Sequence, residues 1–257
     1  MDSYEQACGV AEAAATDLES ATKLLQRAAK AMAKASAEGA SSKIRQATVA
    51  VAEAAKLVQA AAGSAEQAWP YSDDDVSDYL ESGYEAELIA AAADIDVVIT
   101  PLDDRLAAFP VVVQILGRQP AVRLDANRQV GLRPTFLAKR VADQQRKPSI
   151  KPEAFIETLY KAYTRVVAGA SGSGATLADV YDTLTILPEA RKTYSKAEFA
   201  RDVFLLHSSG LARTRNGATV TFPAATGTKG GSKSFVVVPP DGMPKHYYGL
   251  RFEEKKK

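Results

Sequence analysis

Between Ser3 and Ala37 apolar side chains return at Ala7, Ala11, Ala14, Leu18, Ala21, Leu25, Ala28 and Met32, in alternating steps of four and three. That alternation keeps one stripe of a helix turned toward a partner. The segment has no proline and one glycine, Gly9, so one long helix is predicted. Glu38-Gly39-Ala40-Ser41-Ser42 interrupts it, glycine relaxing the backbone and a serine capping the next helix. The pattern resumes at Ile44, Thr48, Val51, Ala55, Val58, Ala62, Ala65 and Trp69 and stops at Pro70, because the residue before proline is pushed out of helical geometry. Two helices of similar length on either side of a short turn must run antiparallel.

Of the first 69 residues 23 are alanine, so the seam allows close approach but buries little area per residue, at roughly 25 cal/mol per Å². A third helix is therefore expected. Ser72 before Asp73-Asp74-Asp75 reads as a helix cap with carboxylates at the positive helix end, not as a metal site, since the glycine and ligand spacing of a calcium loop are missing. Tyr84, Leu88, Ala91, Ile95, Val98 and Leu102 carry the spacing on, with a break expected near Thr100 ahead of Pro101 and a last turn through Ala108. Residues 1–109 thus read as an antiparallel helical hairpin or three-helix bundle.

After Pro110 the period changes. Val111 to Leu116 is a β-branched run ended by Gly117 and Pro120, and Ala121–Asp125 and Gln129–Leu132 flank a turn at Asp125-Ala126-Asn127. A helix is predicted from Pro134 to about Arg146, so 110–150 forms a β-hairpin plus helix connector. In residues 151–257, Pro152, Thr176 and Ser195 open helices with apolar stripes of Phe155, Leu159, Tyr163 and Val166, then Leu177, Val180, Tyr181 and Leu184, then Phe199, Val203 and Leu206. Leu211–Thr214 and Ala218–Phe222 flank Asn216-Gly217, a strong hairpin signal, and further strands are predicted at Phe235–Val238 and Tyr247–Phe252. The fold class expected is mainly α with a smaller α+β part.

Charge divides along the chain. Residues 1–110 hold 8 Lys/Arg against 19 Asp/Glu, whereas 111–257 hold 24 against 12, although the net charge is only +1. An acidic and a basic half suggest different partners, with a polyanion candidate for the basic one, or mutual attraction of the halves. Arg118, Arg123, Arg128 and Arg133 fall at strand ends and turns, as a phosphate-facing rim or as ordinary solvated turn residues.

Three helices, the last running into HSSGLARTRNGATVTF, resemble the winged helix-turn-helix family over roughly residues 152–240. The resemblance implies a third helix entering the major groove and a wing on the DNA backbone. Carried over by position, it makes Lys196 and Arg201 contacts of the third helix and Arg213, Arg215, Lys229 and Lys233 contacts of the wing. Apart from the resemblance, Arg128 and Arg133 of the arginine rim are further candidate phosphate contacts. The third helix departs from a base-reading pattern in carrying Glu198 and Asp202, with Phe204 and Leu205 on its outer face. That pair implies burial against the chain's own strands or against another protein. Leu18, Leu25, Val51, Val58, Phe204 and Leu205 are the candidate partner-binding residues.

Enzyme chemistry finds little support. The Gly169–Thr176 stretch imitates a phosphate-binding loop but has Ala175 where the lysine belongs and follows a helix instead of a strand. Asp94 and Asp96 read as a pair in an apolar helix, of which one or both face water, rather than as an acid–base pair. His207 has no obvious orienting acid and reads as a helix-end histidine, and Cys8 sits among alanines on an acidic helix. A lone cysteine, two histidines and no apolar run of membrane-spanning length point to a cytoplasmic protein, nucleoid-associated if it binds DNA, with no cofactor. The expected function is non-enzymatic association with double-stranded DNA through phosphate contacts, with assembly on itself or a larger complex through the N-terminal helices. The alternative is a scaffold subunit of a larger complex, such as one built on a coiled-coil ATPase, with no direct DNA contact.

Overall fold

The computed structural model describes residues 3–102, 105–147, 150–168, 172–223 and 234–254. It is mainly helical, with long N-terminal helices and small antiparallel sheets. The chain forms two compact units: residues 1–87 with 117–120 and 133–135, and residues 88–116, 121–132 and 136–257.

In the first unit, α1 (Tyr4–Ala37) and α2 (Ser41–Gln67) pack along their lengths. Every seam position expected in α1 is buried or half-buried. In α2 the expected positions 44, 51, 58 and 65 are covered, but the intervening ones are Ala47, Ala54, Ala61 and Ala68, one residue earlier than the spacing predicts. Thr48, Ala55 and Ala62 face solvent. The pairs Ala54-Ala55 and Ala61-Ala62 offer no hydrophobic contrast, so the sequence pattern fits both frames. The turn is a glycine-closed helix end: Gly39 adopts φ +64°, its N–H reaches Ser36 O at 3.2 Å, and Ala40 N–H reaches Ala35 O at 3.1 Å. The N-cap of α2 is Ala40, which makes no side-chain cap, instead of the expected serine.

The expected third helix is two helices, α3 (Asp73–Ser82) and α4 (Tyr84–Ala93), parted at Gly83. Ser72 and Asp75 form a reciprocal capping box on α3. The continuation to Ala108 is not helical. Asp96 takes φ +60°, and Val97 N–H bonds Ala92 O at 2.9 Å, closing α4 by the same device as Gly39 but with a non-glycine residue. Beyond it the β-branched run Val97-Val98-Ile99 alternates buried, exposed, buried, which is strand periodicity.

The second unit holds an antiparallel five-stranded meander of β1 (Thr100–Leu102), β2 (Arg105–Ala108), β3 (Val111–Leu116), β4 (Ala121–Leu124) and β5 (Asn127–Gln129), in that order. Its first two strands thus lie ahead of the expected 109/110 boundary. Val113 pairs with Leu106 on one side and Leu124 on the other, all three buried. Helix α5 (Pro134–Gln145) buries Leu137, Ala138 and Val141, and Gln145 donates to the carbonyls of Ala108 and Phe109 at 3.2 and 3.0 Å.

The largest core follows, built on α6 (Pro152–Val166), β6 (Ala175–Thr176), α7 (Leu177–Leu184), a short α8 (Pro188–Thr193), α9 (Lys196–Ser208), β7 (Thr219–Thr221), β8 (Phe235–Val237), β9 (Lys245–Tyr247) and β10 (Gly249–Glu253). Strand β10 lies between β6 and β7, antiparallel to both, while β8 and β9 pair as a separate ribbon. Ile156, Leu159, Leu177, Phe199, Leu206 and Leu250 fill the interior, with Phe199 and Phe235 edge to face at 5.2 Å. The Asn216-Gly217 turn forms as predicted, Gly217 at φ +84° with Thr214 N–H on Ala218 O at 2.9 Å, although the strand expected at Leu211–Thr214 reduces to one bridge between Arg213 and Thr219.

Candidate anion-binding surface

Ser195 opens α9 with a capping box: its hydroxyl accepts from Glu198 N–H at 3.2 Å, and the Glu198 carboxylate accepts from Ser195 N–H at 2.6 Å. The apolar positions Phe199, Val203 and Leu206 then turn into the core as the periodicity predicts. The opposite side is covered too. Glu198, Ala200, Arg201 and Asp202 are also buried.

Arg201 is therefore not presented at the surface of α9 as a nucleic-acid contact would be. It is 6% exposed, its Nε donates to Asp202 Oδ1 at 2.8 Å, and one terminal nitrogen donates to Pro110 O at 3.1 Å and to the Asp125 carboxylate. Asp125, at φ +51° in the turn after β4, also accepts from Val112 N–H at 3.0 Å, so one carboxylate ties the meander together and to α9. Burial pushes the Asp202 carboxyl up to about 6 against the pull of Arg201 and of the Tyr194 hydroxyl, which donates to it at 2.8 Å. The outward Phe204 meets the chain's own residues: its ring lies edge-on to Phe109 at 5.4 Å, with the Lys245 ammonium 5.1 Å over it. Leu205 is half-buried.

Arg133 is also engaged internally. Its guanidinium pairs with Glu5 at 2.6 Å and Glu12 at 2.5 Å, both on α1. Glu5 further accepts from the Thr135 backbone and hydroxyl, each at 3.0 Å, capping the start of α5. Glu87 does the same for α1, accepting from the N–H groups of Tyr4 at 2.9 Å and Glu5 at 3.0 Å, from the Tyr79 hydroxyl at 2.9 Å and from the Ser3 hydroxyl. Burial alone would raise both carboxyls, but these hydrogen bonds outweigh it and hold them below the usual range. Burial likewise pushes the Cys8 thiol up, with the pull of Arg133 too weak to reverse it.

Among the remaining expected contacts, Lys196, Arg213, Arg215 and Arg128 are exposed. Arg213 and Arg215 lie just ahead of the Asn216-Gly217 turn, and Arg128 pairs across the sheet with Arg123. Lys229 and Lys233, with the glycine-rich tip around them, lie outside the described residues. Leu18, Leu25, Val51 and Val58 sit half-buried on the seam positions of α1 and α2. His207 Nδ1 lies 2.9 Å from the Tyr247 hydroxyl, its ring beside Phe222.

The structure also brings together three cations that the spacing does not connect. Arg105 of β2, Arg191 of α8 and Lys196 of α9 line a cleft of about 320 Å³, with the residues Ser195 and Ser234 and an apolar wall of Leu102 and Val236. No described Asp or Glu lines it. Among the described residues no group of three or more His, Cys, Asp or Glu is placed to hold a metal ion, and no helix is long and apolar enough to cross a membrane. Compared with known proteins, the chain matches no family model, no curated protein and no solved structure.

Proposed function

We propose that the chain is a non-enzymatic assembly subunit whose α1–α2 hairpin docks against a second helical surface, and whose C-terminal part is a winged helix used for scaffolding and not for reading bases. The hairpin carries this reading. Val10 and Leu24 on α1 and Val49 and Leu57 on α2 are each about half exposed, while the seam itself is mostly alanine. A two-helix seam of small side chains buries little area, so apolar side chains left outside it gain from a further surface.

The winged-helix part of the proposal rests on element order: α6, β6, α7, α9, β7 and β10 occur in that sequence, with α8 inserted before α9 and the β8–β9 ribbon before β10, and β10 lies between β6 and β7. The burial of α9 on both faces argues against its insertion into a major groove. A second reading, duplex association through phosphates alone, is favoured by Arg213 and Arg215 beside an exposed turn.

Site-specific photocrosslinking in cells, with the reactive residue at position 24 or 57 of the full chain and at Lys192 as control, tests the assembly role. Crosslinks to one discrete species from 24 and 57, absent at 192 and abolished by Val10→Glu with Val49→Glu, are expected. No crosslink at either hairpin position, together with a monomer at all concentrations in sedimentation velocity, overturns it. A duplex affinity that falls steeply with salt and is lost in Arg213→Glu/Arg215→Glu would transfer the function to the second reading.

A further inference from the structure

We propose that the cleft between β2, α8 and α9 binds an organic phosphate of mononucleotide size. The three cations come from separate elements, so their convergence is a product of the fold and not of a charged run in sequence. Of the neighbouring carboxylates, one is held by backbone and the other by a cation of the cleft itself. Glu198 is held by the backbone N–H of Ser195, and Asp182 pairs with Arg191 at 2.7 Å. Both partners of that pair are more than half exposed, and such a pair contributes little, so the Arg191 guanidinium can exchange it for a ligand phosphate. Lys196 stands in the first turn of α9, where the helix dipole adds to the positive potential.

Shape and lining narrow the ligand class. A volume of about 320 Å³ lies at the small end of ligand pockets and is a concavity that the cylinder of a duplex cannot enter. Guanidinium groups match phosphate oxygens bidentately, and the polar residues Ser195 and Ser234 stand on the lining. Leu102 and Val236 give the organic body of the ligand an apolar face, which inorganic phosphate would leave unused. A free mononucleotide and the terminal phosphate of a single strand share this chemistry.

Isothermal titration calorimetry on the full chain tests the site with adenosine monophosphate, adenosine, and a short single strand with and without a 5′-phosphate. Saturable binding of the monophosphate and none of adenosine is expected. Arg191→Ala and Lys196→Ala should each weaken it about tenfold or more, as loss of a charged hydrogen bond implies. Arg128→Ala, which removes an exposed cation outside the cleft, should leave it unchanged. Tighter binding of the phosphorylated strand than of the mononucleotide assigns the ligand to strand ends, and the reverse order assigns it to the free nucleotide; both uphold the site. No saturable heat up to about 10 mM monophosphate, or equal affinity in the Arg191 and Lys196 variants, overturns it.

Discussion

Replacing Arg201 by methionine removes a guanidinium that three acceptors share: the carboxylates of Asp202 and Asp125 and the carbonyl of Pro110. Both acids are themselves largely buried, their side chains 6% and 14% exposed, so neither regains full hydration when its partner goes. Breaking a buried pair from one side costs about 3–5 kcal/mol, because a charge is left uncompensated. That is a large part of the roughly 5–15 kcal/mol that holds a folded domain together. Urea unfolding followed by far-UV circular dichroism should show the loss as a lower midpoint. Trp69, the single tryptophan, lies in the other compact unit and should report a smaller change in fluorescence. Adding Asp125→Asn and Asp202→Asn to Arg201→Met should restore most of the stability, since the charges then leave together. Asparagine also suits the left-handed backbone of position 125. An Arg201→Met protein that unfolds at the wild-type urea concentration yet loses affinity for duplex DNA would refute the reasoning and return Arg201 to the role its position in the sequence suggests.

Glu87→Gln keeps the shape of the α1 cap but removes its charge, and should lower stability by about 1–3 kcal/mol in urea titrations. Because Glu5 and Glu87 titrate below the usual carboxylate range, their stabilisation is present above that range and is lost as pH falls below it, through their lowered folded values. Trp69 fluorescence against pH should follow that loss, and a flat acid limb would count against the two caps. Asp202 has the opposite sign: with its carboxyl raised from 3.8 to about 6, its contribution is fullest below the ordinary value and is lost as pH rises through about 6. The stability of Asp202→Asn relative to the wild type should therefore increase between those limits. At Gly249 a Cβ would stand 2.9 Å from the Ala175 carbonyl oxygen across the β6–β10 pair, so Gly249→Ala should cost about 1–3 kcal/mol, and an unchanged melting temperature would contradict the pairing.

Local rules carried the reading furthest where one residue decides. Gly39, Ser72, Ser195 and Gly217 each do in the fold what their residue type predicts. The α1 seam is likewise legible, because Leu18, Leu25 and Met32 place long side chains at seven-residue intervals. In α2 adjacent alanines supply no such contrast, and the frame shifts by one residue at every second step. The end of α4 was hidden by chemistry of another kind: its left-handed closing residue is Asp96, where the usual stop signal is glycine, and Ile95, Val98 and Leu102 continue a helical spacing by coincidence. The burial of Arg201 is not legible in the sequence because helical periodicity distinguishes one buried face only, and the second cover comes from the turn at Asp125, far away in sequence. The cleft was invisible for the same reason, since Arg105 and Lys196 are brought together by packing and by no shared motif.

The coiled arm is fixed at its two extremities and uniform between them. At one extremity the Tyr4 ring meets Trp69 at 5.5 Å and Tyr84 at 5.9 Å, and at the other the chain reverses through Gly39. The intervening rungs repeat every seven residues, Leu18, Leu25 and Met32 on one limb and Ile44, Val51 and Val58 on the other, with alanines between them. Inserting one such repeat into each limb at the same level would preserve both ends and move the tip outward by about 10 Å. Reach is then a dimension that can be reset in whole steps without redesigning the anchor, as a telescoping ruler is lengthened section by section.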